Sequence, residues 1–181
     1  MKKTRHTEAH LPYAELHCHS YYSLLDAAST PEALVACAKE LGLAALALTD
    51  HDSLAGAVRF WTAAQRTGLH AIIGAEITLE DKTHLTLLAE NQQGYANLCR
   101  LVTASRLDVT TPPSPTDDPD RATGAQNHLD WPGKVEPTLA WSQLAQHSTG
   151  LLALSGCRYG PIAMPLLHRQ DEQAEQAAKH L

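Results

Sequence analysis

The chain has 181 residues, with 44% hydrophobic and only 5% aromatic residues and a formal net charge of −6. That length suits one ordinary domain whose core is built from aliphatic side chains. The negative balance argues against a free-standing nucleic-acid binder, which has to neutralise phosphates. The four cysteines, Cys18, Cys37, Cys99 and Cys157, form no CxxC pair, so neither a zinc ribbon nor a thioredoxin-type motif is present. Cys37 and Cys99 fall in helical patterns and read as buried free thiols. The N-terminal residues lack the apolar stretch of a signal peptide. No apolar run reaches the roughly 20 residues of a membrane span. The expectation is a reduced, cytoplasmic protein with no membrane partner.

In chain order, residues 1–12 are polar and aperiodic and read as a disordered lead to a single domain over 13–181. YAELHCH (13–19) reads as a first strand. STPEALVACAKELG reads as a helix, with Ser29 and Glu32 as a capping box, Pro31 in the first turn and Gly42 at the stop. LAALALTD (43–50) is a continuous apolar run that suits a buried parallel strand. Residues 53–67 form a second helix ended by Gly68, and HAIIGAEI (70–77) a third strand. HLTLLAE (84–90) follows after a connection too short for a crossover helix, so these two strands are expected to form a hairpin. Residues 94–107 are helical. Residues 108–137 hold six of the ten prolines and read as a surface loop or disordered insertion. A helix over 138–147, a fifth strand over 151–157 and two helical pieces split near Pro165 complete the chain. Strands alternating with helices predict an α/β domain with a mostly parallel sheet or barrel. Its active site should then collect at the C-terminal ends of the strands.

The chemistry-bearing residues fall at those strand ends. On a strand, His17 and His19 share a face and Cys18 points away. Two imidazoles so spaced suit a divalent metal. In TDHDS (49–53), Asp52 or Ser53 reads as a cap for the next helix, which leaves His51 unexplained. Glu76 is a carboxylate in an apolar strand, costly to bury unless paired or metal-bound; a strand end reaching solvent is the alternative. His84 opens the fourth strand and Cys157 closes the fifth. Asp26 lies in the loop after the first strand. Each alone has an ordinary structural explanation. Together they read as a hydrolytic site with several metals.

The ordered set LHCHS…LLD, LALTDHDSLAG, IIGAEI, HLTLLAENQQGYANLCRLVT and LLALSGC resembles the PHP (polymerase and histidinol phosphatase) domain. Within that family it is most similar to the PHP domain of bacterial C-family DNA polymerases, the DNA polymerase III alpha subunit group, and there to the error-prone branch. The resemblance implies an α/β fold, an incomplete, distorted TIM-like βα barrel of about five strands with flanking helices. It also implies up to three divalent metals, zinc, manganese or iron, held by nine side chains. Seven of those positions match here: His17, His19, Asp26, His51, Glu76, His84 and Cys157. By the resemblance, His17, His19 and Glu76 serve one metal and carry the catalysis. Glu76 bridges to a second metal with His84 and Cys157, and Asp26 and His51 serve a third. The family's final Asp-x-His is not found after Cys157, so the expectation is a truncated domain with weak or no activity.

The implied chemistry is metal-dependent phosphoester hydrolysis, of the 3′–5′ exonuclease type where the site is complete. The implied partners are a DNA 3′ end or another phosphoester, and the rest of a polymerase or its subunits. Two alternatives stand beside it. One is a metal-stabilised scaffold or partner-binding domain of a polymerase. The other is a small-molecule phosphatase of the histidinol-phosphatase kind.

Overall fold

The computed structural model describes residues 12–107 and 137–181. The expected disordered lead and most of the proline-rich segment lie outside the described residues. Five strands form one mixed sheet in sequence order: β1 (Ala14–Glu15), β2 (Ala45–Leu48), β3 (His70–Thr78), β4 (His84–Ala89) and β5 (Leu151–Leu154). β1–β2 and β2–β3 are parallel, whereas β3–β4 and β4–β5 are antiparallel. The sheet is therefore half antiparallel rather than mostly parallel. The predicted hairpin forms: Lys82 takes a left-handed backbone (φ 65°), and Asp81 Oδ1 accepts from both the amide and the hydroxyl of Thr83. The sheet curls as half a barrel with helices on its outside.

The helices are α1 (Pro31–Glu40), α2 (Ala57–Thr67), α3 (Gln92–Leu107), α4 (Trp141–Gln146), α5 (Ala163–Leu167) and α6 (Asp171–His180). Gly42 and Gly68 end the first two with positive φ, as the sequence predicts. Thr30, not Ser29, caps α1, its hydroxyl accepting from the Ala33 amide. Glu32 is instead drawn into a two-pronged ion pair with Arg59 on α2. α2 starts four residues later than expected, and neither Asp52 nor Ser53 caps it. Pro165 lies inside the first turn of α5, where a missing amide costs nothing, and the helix ends after Leu167. Among the described residues no helix is long and apolar enough to cross a membrane.

Strand alternation sorts side chains between two surfaces. From β3, Ala71 and Ile73 pack with Val35, Leu46, Leu48 and Phe60 beneath α1 and α2. Farther along, Ala75 and Ile77 pack with Leu85, Leu87, Leu98 and Leu101 beneath α3. The even-numbered positions of β3 and β4 take the opposite, concave face. Glu76 pairs in register with Thr86, and Thr78 with His84. A strand with one apolar face and one polar position thus delivers Glu76, 1% exposed, to the inside of the curl.

Candidate metal centre

Glu76 is the hub of a cavity of about 700 Å³ that all seven candidate ligands line. Its Oε2 lies 2.8 Å from His17 Nε2, 2.8 Å from His19 Nε2 and 3.6 Å from His51 Nε2. Its Oε1 lies 3.3 Å from His84 Nδ1 and 3.8 Å from Cys157 Sγ. Asp26, more than half exposed at the mouth, places Oδ2 3.5 Å from His51 Nε2. Among the described residues two groups are close enough to hold an ion: His17, His19 and Glu76, and His51, Glu76 and His84. The resemblance had placed His51 with Asp26; the geometry puts it between Asp26 and Glu76.

The expected first strand is only two residues long, so His17 and His19 sit beyond it. There one backbone bond to the end of β2 continues, from the Thr49 amide to the Cys18 carbonyl, and side chains add to it. Glu15 Oε1 accepts from the His17 amide, and the Thr49 hydroxyl accepts from the Cys18 amide. The alternation survives: both imidazoles reach Glu76, while Cys18 packs against the Val35–Leu46 cluster. Burial pushes the Cys18 thiol up to about 11, which keeps it a protonated core group. All four cysteines are free. Cys37 is exposed rather than buried. Cys157 follows β5, which ends at Leu154. Gly156, at φ 81°, brings the loop so close that a Cβ there would stand 2.6 Å from the His84 carbonyl.

Asp50 and Asp52 supply no ligand atoms; they build the frame. The Asp50 carboxylate accepts from the Ser20 amide at 2.6 Å, the Ser20 hydroxyl at 2.8 Å and the Ser23 hydroxyl at 2.9 Å. Ser23 Oγ in turn accepts from the His51 amide. This ties the loop carrying His19 and Asp26 to the end of β2. Asp52 accepts from the amide and hydroxyl of Thr78, and its own amide donates to the Glu76 carbonyl. Ser20, Ser23 and Thr49 were not singled out from the sequence. No periodicity or spacing in the sequence marks them.

Electrostatics make the cluster a receptor for cations. Burial alone would raise the Glu76 carboxyl, but the rings of His17, His19 and His84 outweigh it and hold it well below the usual carboxylate range. The Glu76 carboxylate raises His17 and His84 above the ordinary histidine value, against the effect of burial. His51 is lowered, by burial first and by its histidine neighbours. His84 Nδ1 is buried and makes no hydrogen bond of good geometry, yet stands 3.3 Å from Glu76 Oε1, a placement that fits a metal ligand. The donor set, imidazoles around a carboxylate with a cysteine sulfur beside it, suits zinc or a similar transition metal better than magnesium or calcium.

Comparison with known proteins agrees with this geometry. The PHP domain family profile matches residues 15–181. An error-prone DNA polymerase of Symbiobacterium thermophilum is 44% identical over 171 residues, covering 93% of this chain and 15% of that polymerase. One of Pseudomonas aeruginosa is 52% identical over 94 residues, covering 52% of this chain and 9% of its own length. The chain thus spans only a small fraction of the polymerases it matches. A crystal structure described as a metal-dependent phosphoesterase from Bifidobacterium adolescentis superimposes with a TM-score of 0.57 at 19% identity, over 93% of this chain and 74% of that one. That likeness establishes a shared fold. With the profile spanning nearly every residue from β1 onward, this chain is a member of the PHP domain family.

Proposed function

We propose that this chain is a metal-binding PHP domain of the phosphoesterase type, working in the context of an error-prone DNA polymerase. The observation that carries the reading is Glu76: one buried carboxylate within 3.6 Å of three imidazole nitrogens on one oxygen, and facing His84 and Cys157 with the other. His17, His19 and Glu76 would hold one ion. His84 and Cys157, sharing Glu76, would hold a second, and His51 and Asp26 would reach a third at the mouth. Bound divalent ions supply Lewis acidity toward a phosphoryl oxygen and acidify bound water. The protein's part is to fix the donors before substrate arrives. Glu76 keeps its charge at every physiological pH, and the Asp50 and Asp52 frames hold the histidine-bearing turns against β3. The substrate is a phosphoester, in a polymerase context a DNA 3′ end.

The test is metal content of the purified chain by elemental mass spectrometry, beside hydrolysis of a 3′-labelled single strand with added Mn²⁺ or Zn²⁺. Bound metal and turnover, both lost in His19→Ala, are the expected result. Absence of metal in the wild type would refute the reading.

One observation favours a second role for the same site. The ligands come from the loop after β1, the end of β2, β3, β4 and the loop after β5, so ions sharing Glu76 would together cross-link these segments. A scaffold stabilised by metal predicts a melting temperature that falls on chelation, with no hydrolysis to lose.

A further inference from the structure

We propose that Arg106 is an anion-orienting residue of this cavity, its guanidinium taking the non-bridging oxygens of a phosphate group presented to the Glu76 cluster. This rests on the phosphoester reading above and adds a residue that supplies no metal ligand. Arg106 stands in the last turn of α3 and lines the same cavity as His51, Glu76 and His84. It is anchored there: Nη2 donates to the Asp52 carbonyl at 2.9 Å, one residue beyond His51. Asp52 is itself clamped to Thr78, so the guanidinium is planted on a rigid turn.

The nature of that anchor matters. A neutral backbone carbonyl fixes the side chain without cancelling its charge. Arg59 shows the contrasting use of the same residue type, with both prongs spent on the Glu32 carboxylate. A guanidinium carries five N–H donors in a planar fork, and the Asp52 carbonyl takes one direction of it. A fork on a fixed turn, bordering a cavity whose other polar groups favour cations, matches a tetrahedral oxyanion bridging cluster and arginine.

The experiment uses the whole 181-residue chain and two calorimetric titrations. Manganese is titrated first, then inorganic phosphate into both manganese-loaded and metal-free protein, for wild type, Arg106→Gln and Arg106→Lys. Arg106→Gln is expected to weaken phosphate binding by about 10- to 100-fold, the range of a charge-assisted pair, with melting temperature and manganese affinity unchanged. Arg106→Lys keeps the charge without the fork and should fall between. Equal phosphate affinity in wild type and Arg106→Gln would overturn the proposal. So would a wild type that binds manganese but no phosphate. A parallel loss of melting temperature and manganese affinity in Arg106→Gln would overturn it too, by showing a strut for the Asp52 turn. Failure of manganese to bind would remove the phosphoester reading instead. In that case a phosphate affinity of the metal-free chain that drops in Arg106→Gln still supports the arginine, and one that does not drop overturns it.

Discussion

His17 and Glu76 are 59 residues apart in the chain and 2.8 Å apart in space. His19 touches the same carboxylate oxygen, so one oxygen atom organises two rings from the start of the domain. Replacing Glu76 by Gln keeps the shape and removes the charge. Metal affinity should fall by at least about 100-fold, more than is usual for loss of a supporting residue. In the metal-free protein, the ring protons of His17 and His84 should titrate at lower pH than in wild type. Nuclear magnetic resonance of the histidines reads the second effect independently of the first.

Acidity should act in opposite directions on the loaded and stripped protein. Protons and metal compete for the same ring nitrogens. Because His17 and His84 are raised above 6.5, metal affinity should begin to fall while the pH is still above that value. In the stripped protein a raised folded-state value contributes stability that is fully present below 6.5 and lost as pH rises through the folded value. His51, lowered by burial, works against this only below 6.5. Chelated protein should therefore melt higher at pH 6.5 than at pH 8, and metal-loaded protein the reverse. Thermal scans with and without a chelator check both signs.

Asp50 supplies no ligand, yet its loss should be felt at the site. Asp50→Ala strands the Ser20 amide and the hydroxyls of Ser20 and Ser23 in a buried setting. The expected cost is about 3 kcal/mol, from losing charged hydrogen bonds and leaving donors unsatisfied. Urea denaturation measures it. Metal affinity should drop as well, because the Ser23 hydroxyl that holds the His51 amide loses its own anchor.

Gly156→Ala should cost about 1–3 kcal/mol, through a left-handed φ and a Cβ pressed onto the His84 carbonyl. It should also displace Cys157. Cobalt substitution reports this directly, since the thiolate-to-metal charge-transfer band should weaken in the variant.

How much of this was legible beforehand depends on the kind of signal. β2, β3 and β4 were readable from apolar runs with sharp ends, and the glycine stops of α1 and α2 from chain punctuation. The residues of HCH, DHD and IIGAE stood out because polar atoms in apolar surroundings need partners, and the fold brings all seven into one cavity. The shortness of β1 was not legible, because the His17 and Cys18 amides go to the Glu15 and Thr49 side chains, which no local propensity signals. Thr30 and Ser29 are equally plausible caps from composition alone. The antiparallel pairing of β4 with β5 was hidden because the residues between α3 and α4 carry no periodic signal. The serine–aspartate frame was invisible for the same reason: hydrogen bonds between loops follow no period.

The mixed sheet has a kinetic consequence. The β3–β4 hairpin closes over a short turn, a local event of the microsecond scale. Joining β1 and β2 to it needs the α1 and α2 crossovers, and contacts that distant in sequence form more slowly. In the isolated hairpin, Glu76 and His84 would still face water. The carboxylate loses its hydration only when the turn at 50–52 docks on β3 and the loop carrying His17 and His19 follows. Ion capture at Glu76 is thus a late step, and the arrival of a metal would mark chains whose two halves have already met.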